Sequence, residues 1–142
     1  MIRYSTDKTE RIDWEEAASV VERAPLGRER RDSGHLKEAF EASYAVVYAF
    51  GADRLIGMAR ALCDGRYQAA VYDVVLLPEY QGRGLGREIM RRLLDQLPVR
   101  NVILYAAPGR EGFYEKFGFR KMRTAMAILN PIMSRSESGY LD

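Results

Sequence analysis

The segment Gln81-Gly82-Arg83-Gly84-Leu85-Gly86 constrains this chain more than any other feature. It follows the apolar run Val74-Val75-Leu76-Leu77 and leads into residues 87–97, where Ile89, Met90, Leu93, Leu94 and Leu97 recur at helical spacing. A strand, a glycine loop and a helix start therefore come in that order. Gly82, Gly84 and Gly86 lack the Cβ atoms that would hold a ligand away from the backbone, and a helix N-terminus offers unpaired N–H groups with partial positive charge. The pattern points to phosphate or pyrophosphate, with Arg83 and Arg87 adding charge. A plain glycine-rich turn is the alternative on the loop alone. Two familiar phosphate motifs fail on spacing. The run is not G-x-G-x-x-G and falls mid-chain after several expected strands, which disfavours a dinucleotide fold. No Gly-Lys-Ser or Gly-Lys-Thr follows, so the P-loop lysine and hydroxyl are missing.

Around this segment the chain reads as one α/β domain. Asp13 followed by Glu16 is a capping-box pattern, and Trp14, Ala17, Ala18 and Val21 share a face, so a helix is expected over 13–23, ended by Pro25 and Gly27. Residues 28–32 form a charged connection, and a second helix begins near Ser33 with Leu36, Ala39, Phe40 and Ser43 on one side. Strands are expected at 44–50 and 55–62 across a Gly51-Ala52-Asp53 turn, then at 67–77 after Asp64-Gly65. Beyond Pro98 the pattern predicts a strand over 99–106, a short helix over 111–116 and a last strand over 119–129. The expected order is α-α-β-β-β-α-β-α-β. The division is a domain over 1–129 and a small, polar tail over 130–142.

The chain has 142 residues, 47% hydrophobic and 30% charged, which suits a single self-sufficient core without metal or disulfide. Cys63 is the single cysteine and His35 the single histidine, so no structural metal and a reducing, cytoplasmic setting are expected. The longest uncharged apolar run, 44–50, is far shorter than the roughly 20 residues of a membrane span. Residues 1–12 mix charges with no apolar stretch, unlike a secretory signal. Basic residues exceed acidic ones only by 22 to 20, but 18 of the 22 are arginine, which favours bidentate phosphate recognition over a diffuse nucleic-acid field. No nucleic-acid or membrane partner is expected.

The loop Gln81-Gly82-Arg83-Gly84-Leu85-Gly86 resembles the Q/R-x-x-G-x-G/A signature of the GCN5-related N-acetyltransferases, the GNAT family. Phe113-Tyr114-Glu115-Lys116-Phe117-Gly118-Phe119 resembles that family's F-Y-x-x-x-G-F segment, about 30 residues further on. The likeness extends to the element order and covers roughly residues 1–129. It implies an α/β (α+β) fold with a mixed, mostly antiparallel sheet, splayed between the strands 67–77 and 99–106 where acetyl-CoA enters, and flanked by helices. It also implies that backbone near Val74, Val75 and Leu76 bonds the pantetheine arm. Gln81, Gly82, Arg83, Gly84, Leu85, Gly86 and Arg87 then hold the pyrophosphate, and Phe113 adjoins the site.

The implied reaction is direct attack of a primary amine on the thioester of acetyl-CoA, with no metal. Tyr114 resembles the family's general acid, since a phenol of pKa about 10 can protonate a departing thiolate; packing against the wedge is its other reading. Asp73, the one acid on the central strand, is the candidate base, although an ordinary carboxylate near 3.9 is weak for that task. A hydrogen-bonded residue at the sheet opening is the alternative. His35 is of the residue type that serves as acid or base near neutral pH, but it sits where caps and surface residues sit. Tyr44, Tyr48, Arg60 and Tyr72 are candidates to line the acceptor site. Cys63, at a turn and without a histidine partner, reads as a bystander thiol, and Arg91-Arg92 as a solvated helix face. The expected acceptor is a small-molecule amine: an aralkylamine, amino sugar, polyamine or amino acid. A protein or peptide amine, another acyl group and a non-catalytic CoA-binding sensor are the alternatives. The apolar run Ala125-Met126-Ala127-Ile128-Leu129 beside an expected sheet edge motivates a homodimer through the strand 119–129 or the tail.

Overall fold

The computed structural model describes residues 1–24 and 30–142. The stops assigned to Pro25 and Gly27, and the first part of the charged connection, lie outside the described residues. The chain forms two compact units, Met1–Leu104 and Tyr105–Asp142.

The first unit is built on a five-stranded sheet in the order β1-β2-β3-β4-β5. Its strands are β1 (Ile2–Ser5), β2 (Ala45–Gly51), β3 (Arg54–Cys63), β4 (Gln68–Leu76) and β5 (Asn101–Ile103). Neighbours are antiparallel except β4 and β5, which run parallel. The β2–β3 hairpin turns on Ala52 and Asp53, whose φ values of 50° and 63° are those of a two-residue turn matching strand twist. Gly51 is the last strand residue, paired with Arg54, and lies outside the turn proper.

Helix α1 (Trp14–Arg23) starts where expected. The Asp13 carboxylate accepts the N–H groups of Glu15 and Glu16 at 3.0 and 3.2 Å. Glu16 directs its own carboxylate to the Leu55 N–H of β3 at 3.0 Å, fastening the helix to the sheet. Helix α2 (Ser33–Glu41) is capped by Asp32, which accepts the His35 N–H at 2.9 Å. Leu36 and Phe40 are buried on its inner face, each contributing about 1.5–3 kcal/mol. Successive residues of β2 from Ala45 to Ala49 are buried, so both sheet faces are covered. Helices α1 and α2 pack together on one face, and α3 (Leu85–Leu94) sets Ile89, Met90 and Leu93 against the other.

Several expectations are corrected. The element order begins with β1, whose four residues pair with β2 from Ile2 opposite Gly51 to Ser5 opposite Tyr48. Helix α3 starts at Leu85, because Gly84 takes the N-cap position, and stops at Leu94, with Asp95 as its C-cap, short of Pro98. β5 is three residues long. Residues 119–129 form no strand: Met126 and Ile128 are fully exposed, and strand-like composition has no ladder to join there.

The second unit holds α4 (Glu111–Glu115) and a 3-10 turn at Ser136–Ser138. Its terminal residues fold back within the unit, with Tyr140 edge-on to Tyr105 at 5.9 Å. Among the described residues, no helix is long and apolar enough to cross a membrane.

Candidate functional site

The central strand β4 loses its partner on one side part-way along. β5 pairs only with Gln68, Ala69 and Ala70, whereas Val75 and Leu76 pair with Met58 and Gly57 of β3 and have no strand on their other side among the described residues. A bulge lies between these regions. Asp73 adopts φ 56°, and Asp73 with Val74 spans the register shift opposite Ala59. Such an insertion bends a strand and increases its twist, which here accompanies the parting of β4 from β5. An unpaired strand edge displays N–H and C=O groups suited to an extended, amide-bearing ligand. Val74 and Leu76 are half-buried and Val75 is buried.

From β4 the chain passes through a 3-10 turn at Pro78–Tyr80 to the glycine loop. Gln81 folds back, its side-chain N–H donating to the Leu76 carbonyl at 3.2 Å, which ties the loop to the strand end. Gly82 and Gly84 have φ of 77° and 80°, a region that disfavours any Cβ, and a Cβ built on either would meet nothing within 4 Å. The loop therefore leaves open space where a ligand could approach backbone. Gly84 caps α3 without a side chain, and the first helical bond runs from the Glu88 N–H to the Gly84 carbonyl at 3.2 Å. The N–H groups of Leu85, Gly86 and Arg87 thus have no acceptor within the helix. Such N–H groups and the positive end of a helix dipole suit a negatively charged group. Arg83, with its guanidinium 5.4 Å from the Tyr80 ring, and exposed Arg87 stand at this end. Glu88 would oppose an anion here, but it bonds Arg91 at 2.6 Å and Arg92 at 2.8 Å; these bonds hold its carboxyl down at about 2.

Asp73 is 5% exposed. One carboxylate oxygen meets Arg31 Nη1 at 2.7 Å and the other meets Arg60 Nε at 2.7 Å. Arg60 is flanked by the Phe40 and Tyr72 rings, at 5.9 and 5.5 Å, and lies 3.4 Å from the Ser43 hydroxyl. The structure thus brings Asp73, Arg60 and Tyr72 together. It adds Arg31 and Ser43, which sequence reasoning left as a connecting charge and a helix-face residue.

The other candidates separate. Tyr48 is a core residue, buried against Phe40 and Trp14 at 5.8 and 6.2 Å, and burial raises its pKa. It does not line an acceptor site. Tyr44 is exposed. His35 is at the surface of α2, its ring 3.8 Å from the Asp32 carboxylate. Cys63 accepts the Gly65 N–H at 3.2 Å across the turn. Arg91 pairs with Glu88 and Asp95, and Arg92 with Glu88 beneath the Tyr4 ring. Among the described residues no group of three or more His, Cys, Asp or Glu side chains could hold a metal.

In the second unit, Tyr114 is half-buried on α4 within an aromatic cluster. Phe113 lies edge-on to Tyr114 at 5.0 Å and to Phe117 at 5.5 Å, and Phe119 closes the far side of Tyr114 at 6.2 Å. Gly118, at φ 93°, lies in the turn after α4, its N–H donating to the Glu115 carbonyl at 3.0 Å, and Phe119 follows it into this cluster. The cluster fixes the Tyr114 ring.

Comparison with known proteins matches residues 21–127 to the family model of the acetyltransferase (GNAT) domain. The chain is 34% identical over 116 residues to GCN5-related N-acetyltransferase 1, chloroplastic, of Arabidopsis thaliana, covering 78% of this chain and 58% of that protein. It is 42% identical over 103 residues to serotonin N-acetyltransferase 2, chloroplastic, of Oryza sativa subsp. japonica, covering 68% of this chain and 52% of that one. The chain therefore spans little more than half the length of these relatives. Among solved structures, a probable acetyltransferase of unknown function from meticillin-resistant Staphylococcus aureus superposes with a TM-score of 0.76 at 23% identity, over 92% of this chain and 100% of that one. A GNAT-family acetyltransferase from Streptococcus pneumoniae gives 0.76 at 24% identity, over 92% and 99%. At these identities the superpositions speak for the fold alone.

Proposed function

The chain belongs to the GNAT family of acetyltransferases, and from that premise we propose that it is an acetyl-CoA-dependent N-acetyltransferase acting on a primary amine of a small molecule. One observation carries the reading: the open edge of β4 leads, through a 3-10 turn, into a glycine loop that gives α3 no side-chain cap and leaves open space at Gly82 and Gly84. These residues fit the donor. The backbone of Val74, Val75 and Leu76 would pair with its pantetheine amides. Gln81, Gly82, Arg83 and Gly84 would shape the loop, while the N–H groups of Leu85, Gly86 and Arg87 take the pyrophosphate. When bound, the donor supplies an acetyl group activated as a thioester. Tyr114 is the residue we assign as the general acid: its phenol would donate a proton to a departing thiolate and regain one from solvent, while the attacking nitrogen would release its surplus proton to solvent. Phe113 keeps the Tyr114 ring in place through their edge-on contact.

A small amine agrees with the modest net charge of +2 and with the name of the rice relative. Tyr72 and Arg60 are the residues we assign to the acceptor side. A homodimer formed through residues 119–129 is a further part of the proposal, supported by the exposure of Met126 and Ile128; light scattering that reads a monomer at high micromolar concentration would remove it.

The test is thermal denaturation with acetyl-CoA, CoA, ATP and NAD in parallel. A ligand at about 100 times its Kd stabilises by roughly 2.7 kcal/mol, so both CoA species should raise Tm and the others should not. A shift then justifies screening amines by mass spectrometry. No shift with either CoA species at millimolar concentration would overturn the assignment.

A further inference from the structure

The arginine pair around Asp73 joins parts of the first unit that the proposed reaction does not otherwise account for. Arg31 directly precedes Asp32, the residue that caps α2, so the 2.7 Å bond from Arg31 to Asp73 fixes where α2 begins relative to β4. Arg60 shares the same carboxylate and stands beside Phe40 and Ser43, at and just past the other end of α2. Both ends of the helix are thus tied, through two guanidiniums, to one buried carboxylate. That carboxylate sits on the β4 bulge, immediately before Val74 and the open strand edge. Protonating it would remove the charge that holds both guanidiniums, an unfavourable step at a buried site. A planar guanidinium suits such a pair better than an ammonium.

We infer that Asp73 is a positioning residue: it anchors Arg31, and with it the start of α2, against the β4 bulge, so that the acceptor amine meets a fixed wall beside the donor strand. The kinetic part rests on the acetyltransferase reading; the anchoring part does not. Asp73 has no part in taking the amine proton.

The experiment uses the full chain with Arg31→Ala, Arg31→Lys and Asp73→Asn, each checked for folding by circular dichroism. Hydrogen exchange of the amides at 33–36 is measured first, because it needs no turnover. Faster exchange there in Arg31→Ala, with β2 and β3 unchanged, is the expected result; unchanged exchange overturns the anchor even if no amine is ever acetylated. Steady-state kinetics then follow, with phenethylamine as acceptor and acetyl-CoA binding measured separately. Arg31→Ala is expected to raise KM for the amine about tenfold, leaving kcat within about threefold and the donor Kd within about twofold, with Arg31→Lys in between. Asp73→Asn is expected to behave like Arg31→Ala and to keep the wild-type pH profile. A loss of about a hundredfold or more in kcat at unchanged KM, with the acid limb of that profile abolished, would make Asp73 the base and overturn the inference. If the wild type binds no CoA and acetylates nothing, the acetyltransferase reading fails while the exchange result still decides the anchor.

Discussion

Replacing Gly84 with alanine separates the cost to the fold from the cost to the ligand. Gly84 has φ 80° and a new Cβ would touch nothing within 4 Å, so the folded state bears only the left-handed backbone penalty, about 1–2 kcal/mol. For a chain of 142 residues that lowers Tm by about 3–7 °C. The same Cβ enters the open space at the α3 N-terminus, where phosphate oxygens must come within about 3 Å of the N–H donors. Loss of one charge-assisted bond is worth about 1.5–3 kcal/mol, a tenfold weakening or more. At an acetyl-CoA concentration about 100 times the wild-type Kd, a tenfold loss cuts the stabilisation from about 2.7 to about 1.4 kcal/mol. The ligand-induced rise in Tm should therefore fall to about half. Scanning calorimetry of both proteins, with and without acetyl-CoA, reads the two effects separately. An alanine variant with a lower baseline Tm but the full wild-type rise would refute the placement of the anion at this loop.

Tyr114→Phe keeps the aromatic cluster and removes only the hydroxyl, so donor binding by calorimetry should persist while turnover falls by roughly 10²-fold or more; unchanged turnover removes Tyr114 as the acid. In the β2–β3 hairpin, Asp53→Gly relieves a φ of 63° and should raise stability by about 1 kcal/mol in urea denaturation, with lower stability counting against the turn described. Asp13→Ala strips α1 of its cap and should cost about 1 kcal/mol by the same assay, an unchanged midpoint arguing against the cap. The Glu88 carboxyl is held at about 2 against an ordinary 4.5, so its pairs stabilise the fold above about pH 4.5 and that contribution fades as pH falls through about 2. Carbon-detected NMR titration should show this low midpoint, and Arg91→Ala should raise it.

What could be read from the sequence was what depends on neighbours along the chain. Asp13 and the spacing of Ala17, Ala18 and Val21 specify α1, and the three glycines specify the loop at α3. β1 was missed because Ile2–Ser5 is four residues long and owes its state to backbone pairing with β2. Residues 119–129 failed in the opposite sense: their apolar composition suits a strand, yet a strand exists only where a partner offers its ladder. The candidate site divides along the same line. Gly82, Gly84 and the uncapped helix follow from local chemistry. The Arg31–Asp73–Arg60 cluster does not, since it depends on a bulge in β4 and on where α2 comes to rest. Tyr48 illustrates a related limit: strand periodicity cannot tell an aromatic that faces a ligand from one that fills the core beneath Trp14 and Phe40.

An acyl donor along the open edge of β4, with its pyrophosphate at the start of α3, is the arrangement on which the proposed function depends. Titration of ¹⁵N-labelled protein with acetyl-CoA tests it most directly. The amides of Val74, Val75 and Leu76 and those of Gly82 to Arg87 should shift together and saturate at one stoichiometric equivalent, with His35 and the Cys63 turn unmoved. Saturable shifts confined to other residues, or none at millimolar ligand, would contradict it.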